Sequence, residues 1–169
     1  MDNHTSPHSE IQLNHGLITT IDAIDSDLGK HRWRAELMHN RYYAKRTGKE
    51  NGRKKTLSLH RVIMERVIGR PLLKGELVDH EDNNSLNNLR TNLRLATHAQ
   101  NNCNAKKRGN KVTSQYKGVD WSSSGENWRA RITVNNKTLH LGVFGTPEDA
   151  YRAYCEAAKK YHGEFARYE

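Results

Sequence analysis

Hydrophobic positions fall into two groups along the chain, separated by polar stretches. In residues 31–38, Trp33, Ala35 and Leu37 alternate with Arg32, Arg34 and Glu36, the period-two pattern of a half-buried strand. Ile18 and Ile21 predict a short strand before it, and Tyr42-Tyr43 begin another after it. Residues 1–10 are polar and are expected to lack fixed structure. The stretch TGKENGRKK (47–55) reads as a basic, turn-rich loop, either a solvated hairpin end or a finger that contacts phosphate. Residues 57–72 begin as a strand and become a short helix with Val62, Ile63, Val67 and Ile68 on its apolar side. Gly69 suits its C-cap, and Pro71 prevents continuation. Residues 74–80 supply a further strand.

After Gln115 the pattern changes. Residues 116–121, 127–134 and 138–144 read as three strands. In the middle one, Trp128, Ala130, Ile132 and Val134 face one way while Arg129, Arg131 and Thr133 face the other. Asn135-Asn136-Lys137 forms a turn. Thr146, Pro147, Glu148 and Asp149 open a helix, with a hydroxyl at the N-cap, proline in the first turn, and acids at the positive end of the dipole. Ala150, Ala153, Tyr154, Ala157, Ala158 and Tyr161 follow helical spacing, and Gly163 ends the run. The prediction is a three-stranded antiparallel sheet with a helix on one face and Arg129 and Arg131 on the other.

Between these groups lies VDHEDNNSLNNLRTNLRLATHAQNNCN (78–104). Its apolar residues are Val78, Leu86, Leu89, Leu93 and Leu95, a poor basis for a core. So polar a stretch makes sense if its side chains are held for a metal ion and a phosphate. It reads as a strand ending at Asp79-His80, a loop, a short strand at 93–96 and the start of a helix. Neighbours in an extended segment point to opposite sides. A carboxylate there can hold a hard cation, and a neutral imidazole can take a proton from water. Asn83, Asn84, Asn87 and Asn88 read as turn residues, and His60 as a packing residue first, with phosphate binding and support of the site as the alternatives.

Composition sharpens this picture. Hydrophobic residues make up 34% of the 169, and mean hydropathy is -0.97. That suits two small cores with polar connections. A net charge of +9, spread over both halves, favours a polyanionic partner, most often nucleic acid. The two cysteines, Cys103 and Cys155, form no C-x-x-C pair, which argues against structural zinc and a disulfide framework and for a reducing compartment. There is no membrane-length apolar run and no signal-peptide pattern. AKKRGNKVTSQ (105–115) reads as a basic linker whose Lys106, Lys107, Arg108 and Lys111 can track a DNA backbone.

V-D-H, then Asn92-Leu93, then Q-N-x-x-N ending at Asn104, resembles the HNH (ββα-metal) nuclease signature. LHRVIM (59–64) and the strands with Trp33 and Tyr42-Tyr43 resemble the N-terminal part of phage-type HNH homing endonucleases, so the resemblance covers about residues 10–104. It implies Asp79 as a metal ligand and His80 as general base. Asn101 would be the second ligand, with His98 one helical turn earlier as its rival, and Asn92 would pin the loop and orient the base. One divalent metal is implied, Mg²⁺ first and Mn²⁺ as the alternative. Arg61 joins the expected DNA-binding residues.

Residues 113–166 resemble the plant ethylene-response-factor (APETALA-type) DNA-binding domain, through YKGV (116–119), WRARI (128–132), LGVF (141–144) and PEDAYRAY (147–154). This implies a sheet that reads the major groove through arginine and tryptophan, at positions that include Lys117, Arg131, Thr133 and His140 with Arg129 close by; Trp121 is either a core edge or a backbone contact. Asp120 and His140 replace arginines of the plant pattern, so its base preference does not transfer. The expected chain is α+β: a β-rich platform with a ββα-metal nuclease unit (11–104, core 76–104), a linker (105–115) and the reading domain (116–166). The expected function is a metal-dependent DNA endonuclease of homing type, on double-stranded DNA and with no membrane association. It is expected as a monomer, with a dimer as the alternative, in the cytoplasm of a bacterial host if phage-encoded. The competing readings are a transcription regulator with an inactive nuclease fold and an RNA-directed protein.

Overall fold

The structure is a computed structural model that describes residues 7–50, 52–104, 114–122 and 125–168. The chain divides into two compact units, Met1–Ala96 and Thr97–Glu169. The break falls before the helix at His98–Asn104, whereas the expected boundary follows that helix. The linker residues Lys106, Lys107, Arg108 and Lys111 lie outside the described residues.

The first unit opens with a two-stranded antiparallel ribbon, β1 (His8–Gln12) and β2 (Ile18–Asp22). The expectation of a formless start is thus corrected over residues 8–10: Ile11 packs into the core, and backbone pairing carries its polar neighbours. A 3-10 segment (Ala23–Lys30) leads to a three-stranded antiparallel sheet of β3 (Arg34–Met38), β4 (Arg41–Glu50) and β5 (Arg53–Ser58). His39 and Asn40 both take positive φ between β3 and β4, as a two-residue hairpin matched to strand twist requires. Residues 47–50 and 53–55 are hydrogen-bonded strand rather than loop. Trp33 and Ala35 are buried as the alternation predicts, but Leu37 is exposed near the hairpin end.

Helix α1 (Leu59–Ile68) ends on Gly69 in the left-handed region. It buries Leu59, Ile63 and Met64, and Val62 and Ile68 pack against the core as predicted, while Val67 is exposed. β6 (Leu77–His80) and β7 (Leu93–Ala96) form a two-stranded ribbon. The core joins Ile11, Ile21, Leu28 and Trp33 to Leu59, Ile63 and Leu93. Val78, Leu86 and Leu95 pack against it, so the polar central stretch has an apolar underside. Beneath its surface Asp25, fully buried, binds Arg66 at 3.1 Å and Arg90 at 2.8 Å, tying the 3-10 segment to α1 and to the turn before β7.

The second unit begins with α2 (His98–Asn104). Its start is a capping box: the Gln100 amide donates to Thr97 Oγ1 at 3.3 Å, and the Thr97 amide to Gln100 Oε1 at 2.8 Å. β8 (Val119–Ser122), β9 (Asn127–Val134) and β10 (Lys137–Phe144) form an antiparallel sheet in the order β10-β9-β8. Asn135 and Asn136 turn the β9–β10 hairpin with positive φ at both positions. Helix α3 (Pro147–His162) starts at Thr146, whose hydroxyl accepts from the Asp149 amide at 3.2 Å. Ala150, Tyr154, Ala157 and Ala158 bury against Val119, Ala130 and Ile132. Tyr161, predicted on that face, is exposed.

Candidate active site and nucleic-acid interface

Asp79 and His80 close β6, each only 6% exposed. Asp79 stands opposite Arg94 of β7, and its Oδ2 accepts from Arg94 Nε at 3.0 Å and Nη2 at 2.9 Å. His80 meets Asn88: Nε2 and Oδ1 are 3.2 Å apart. The His60 ring stands edge-on to it with centroids 5.3 Å apart, and Tyr43 lies 5.6 Å from His60. Burial pushes the His80 imidazole below its ordinary pKa, against the opposing pull of the Asn88 bond and of Asp82 and Asp79. His60 is lowered to about 3, chiefly by burial and then by charge on His80. Both rings are therefore neutral at neutral pH, as a general base must be before it works. His60 packs as expected, and what it packs is the imidazole of His80.

The loop 81–92 is built by its asparagines. Asn83 takes the left-handed conformation, and the side chains of Asn84 and Asn87 accept from Leu86 and Leu89 amides two residues on. Asn92 Nδ2 donates to Asp82 Oδ1 at 3.0 Å and to Asn87 O at 2.8 Å, while its Oδ1 accepts from the Asp82 amide at 3.1 Å. Its contacts shape the loop. Burial raises the Asp82 carboxyl, but bonds from Asn87, the Asn84 amide and Asn92 bring it below its usual value. Asn88 corrects the turn reading. It is fully buried, and it is the residue that reaches His80.

The other expected ligands, Asn101 and His98, lie on α2 in the second unit, Asn101 half-buried and His98 exposed. Among the described residues no three His, Cys, Asp or Glu side chains cluster as a metal cage. The Asp79 carboxylate is an oxygen donor of the kind that hard divalent cations take.

On the sheet of the second unit the outward face carries Arg129 and Arg131, both bound to Asp120. Arg129 Nη2 lies 2.5 Å from Asp120 Oδ2 and Arg131 Nε 3.0 Å from Oδ1. Burial raises the Asp120 carboxyl and the two arginines outweigh it, leaving it below its usual value. Thr133 pairs with Thr138 across the hairpin at 3.2 Å. His140 sits at a bulge, its Nδ1 accepting from the Gly142 amide at 3.0 Å. Trp121 is 40% exposed and packs edge-on to Trp128, centroids 4.9 Å apart. Lys117 departs from the expected DNA face: its ammonium donates to the Cys103 carbonyl, and burial lowers its pKa. In the first unit Arg61 is half-buried at the third position of α1.

Residues 58–103 match the HNH endonuclease family and residues 114–164 the AP2 domain family. Protein 3.8 of Escherichia phage T7 is 36% identical over 98 residues, covering 58% of this chain and 79% of that protein. The chain belongs to the HNH endonuclease family. Behind its HNH segment it carries an AP2 domain, a DNA-binding module. An uncharacterized HNH endonuclease of Acanthamoeba polyphaga mimivirus is 37% identical over 110 residues, 65% of this chain. The chain spans 56% of that relative's length. The AP2-like ethylene-responsive transcription factor ANT of Arabidopsis thaliana is 46% identical over 52 residues, 30% of this chain and 9% of its own. Among the described residues, no helix is long and apolar enough to cross a membrane.

Sequence reasoning placed the D-H pair and Asn92 but missed four contributors. Arg94 was readable in principle, since a strand register places it opposite Asp79. Asp120 was noted as a departure from the plant pattern, not as a clamp on the arginines. Thr19 and Asn88 carry no local signal, because their pairing joins positions 69 apart.

Proposed function

We propose that this HNH protein cleaves double-stranded DNA, nicking one strand per event, at sites chosen by its AP2 domain. The observation that carries this reading is His80: a neutral, oriented imidazole beside a buried carboxylate at the end of an HNH-family strand. His80 takes the proton from the attacking water. Asp79, held by Arg94, offers a carboxylate oxygen to the cation, and Asn101 of the signature offers an amide oxygen, with His98 as the rival ligand. Asn92 keeps the loop in shape around the base. A divalent cation bound there, Mg²⁺ or Mn²⁺, would neutralise the charge that develops on the phosphate and the leaving oxygen. Arg61 and the basic residues 106–111 add phosphate contacts. Arg129, Arg131, Thr133, His140 and Trp121 read the groove.

Supercoiled plasmid incubated with Mg²⁺ should be converted to open circle, and EDTA should stop the conversion. His80→Ala should slow it by about 10²–10⁴-fold. Tight DNA binding by a wild type that never nicks would instead support a regulator with an inactive nuclease fold.

A further inference from the structure

The partner of His80 is itself held from outside the HNH segment, and the chain of hydrogen bonds runs in one direction. Leu86 O is a carbonyl and can only accept. Thr19 Oγ1 lies 2.7 Å from it and donates its single proton there. The Thr19 oxygen must then accept from its other neighbour, Asn88 Nδ2, at 2.7 Å. With its nitrogen committed to Thr19, the Asn88 amide turns its oxygen to His80 Nε2 at 3.2 Å. An oxygen there requires a proton on Nε2, which makes Nδ1 the basic nitrogen of the neutral ring. Thr19 and Asn88 are both fully buried, where a misdirected donor or acceptor is costly.

The backbone holds these groups in register. The Thr20 amide donates to Leu86 O at 3.0 Å and the Asn88 amide to Thr20 O at 2.8 Å. Residues 86–88 thus lie alongside β2, with a parallel bridge between Thr20 and Asn87. The β1–β2 ribbon precedes the family match at residues 58–103, yet it presents Thr19 to the loop.

We infer that Thr19 and Asn88 form a positioning relay that fixes the tautomer of His80 with its proton on Nε2 and Nδ1 as the proton acceptor. The inference rests on the proposed nuclease reading for its purpose, but the tautomer can be read without any cleavage. In nitrogen-labelled full-length protein at neutral pH, long-range proton–nitrogen NMR distinguishes the protonated from the bare ring nitrogen. The chain has 10 histidines, so His80→Gln identifies the resonance by its loss. Wild type should show one tautomer, protonated on Nε2. Thr19→Val keeps the shape and removes the hydroxyl, so Asn88 is no longer constrained and a mixture should appear; Thr19→Ser should restore the single form. Nicking should follow the same order, with Thr19→Val slower by about 10- to 100-fold, the range for groups that orient a reacting side chain.

A wild-type ring protonated on Nδ1, or a Thr19→Val spectrum identical to wild type, overturns the relay whether or not the protein cuts. The expected tautomer pattern in a protein that does not cut overturns the nuclease reading and leaves the relay standing.

Discussion

His60 shows what a buried ring costs in acid. Its folded-state pKa of about 3 lies well below the ordinary 6.5 that it regains on unfolding. The unfolded chain therefore binds a proton that the folded chain refuses, and stability falls as pH drops through the window from 6.5 toward 3. One such proton gives a slope of up to about 1.4 kcal/mol per pH unit. His60→Gln should flatten this part of the stability–pH curve measured by urea unfolding; an unchanged slope would place the acid sensitivity elsewhere. Asp120 makes a second residue-scale prediction. It occupies Arg129 and Arg131, both partly exposed, so removing its charge should cost less than about 1 kcal/mol of stability. Asp120→Asn frees two guanidinium groups on the outward face. Binding to unrelated duplex DNA should tighten, and its salt slope should steepen by up to about 0.9 per new phosphate contact. Fluorescence anisotropy across a salt series reads this, and weaker binding would show that Asp120 itself contributes to recognition. Asp79 and His80 were legible because chemistry and adjacency mark them. Asn88 was not, because in a run of asparagines only the fold distinguishes the one that meets an imidazole.

The elements were legible wherever side-chain periodicity met a turn signal. The middle strand at 127–134 and the short strand at 93–96 were read with the limits the structure shows. β1 was missed because its one core residue, Ile11, gives no period, and its pairing with β2 is made by backbone groups. Of the two readings of 47–55, β4 and β5 form the hairpin end, with their pairing running further into it than glycine and lysine suggest, since an exposed strand needs only a partner for its amides. Gly118 marks a constraint of the second unit. Its φ is +73°, and a Cβ there would strike the Tyr154 ring and lie 2.7 Å from Arg131 O. That same segment bonds β9, the Arg131 amide donating to Gly118 O at 2.8 Å. Gly118→Ala must push Tyr154 out of its packing against Ile132. It should destabilise the AP2 unit by about 1–3 kcal/mol. Chemical denaturation followed by tryptophan fluorescence reads the effect through Trp121 and Trp128, and an unshifted transition would mean that the turn rearranges freely.

At the scale of the molecule, the buried hydrophobic side chains fall into one cluster in the first unit and two in the second. The contact break before α2 falls inside the HNH family match at 58–103. The HNH signature occurs once in the chain, and one base acts on one phosphodiester at a time. A monomer with one such site nicks; two nicks in opposite strands need two encounters. Open circle should therefore accumulate before linear plasmid, at a rate first-order in protein. The AP2 arginines should govern where this happens rather than whether it does. Arg129→Ala with Arg131→Ala should abolish the steepening of the salt slope that Asp120→Asn brings, since the freed guanidinium groups are then gone. At protein concentrations high enough to saturate the DNA, the double variant should nick at an undiminished rate, with breaks scattered over the plasmid. Sequencing of the nicked ends checks this. Breaks that keep the wild-type positions would move site selection to the HNH segment, and linear product appearing first, with a second-order rate, would require a dimer.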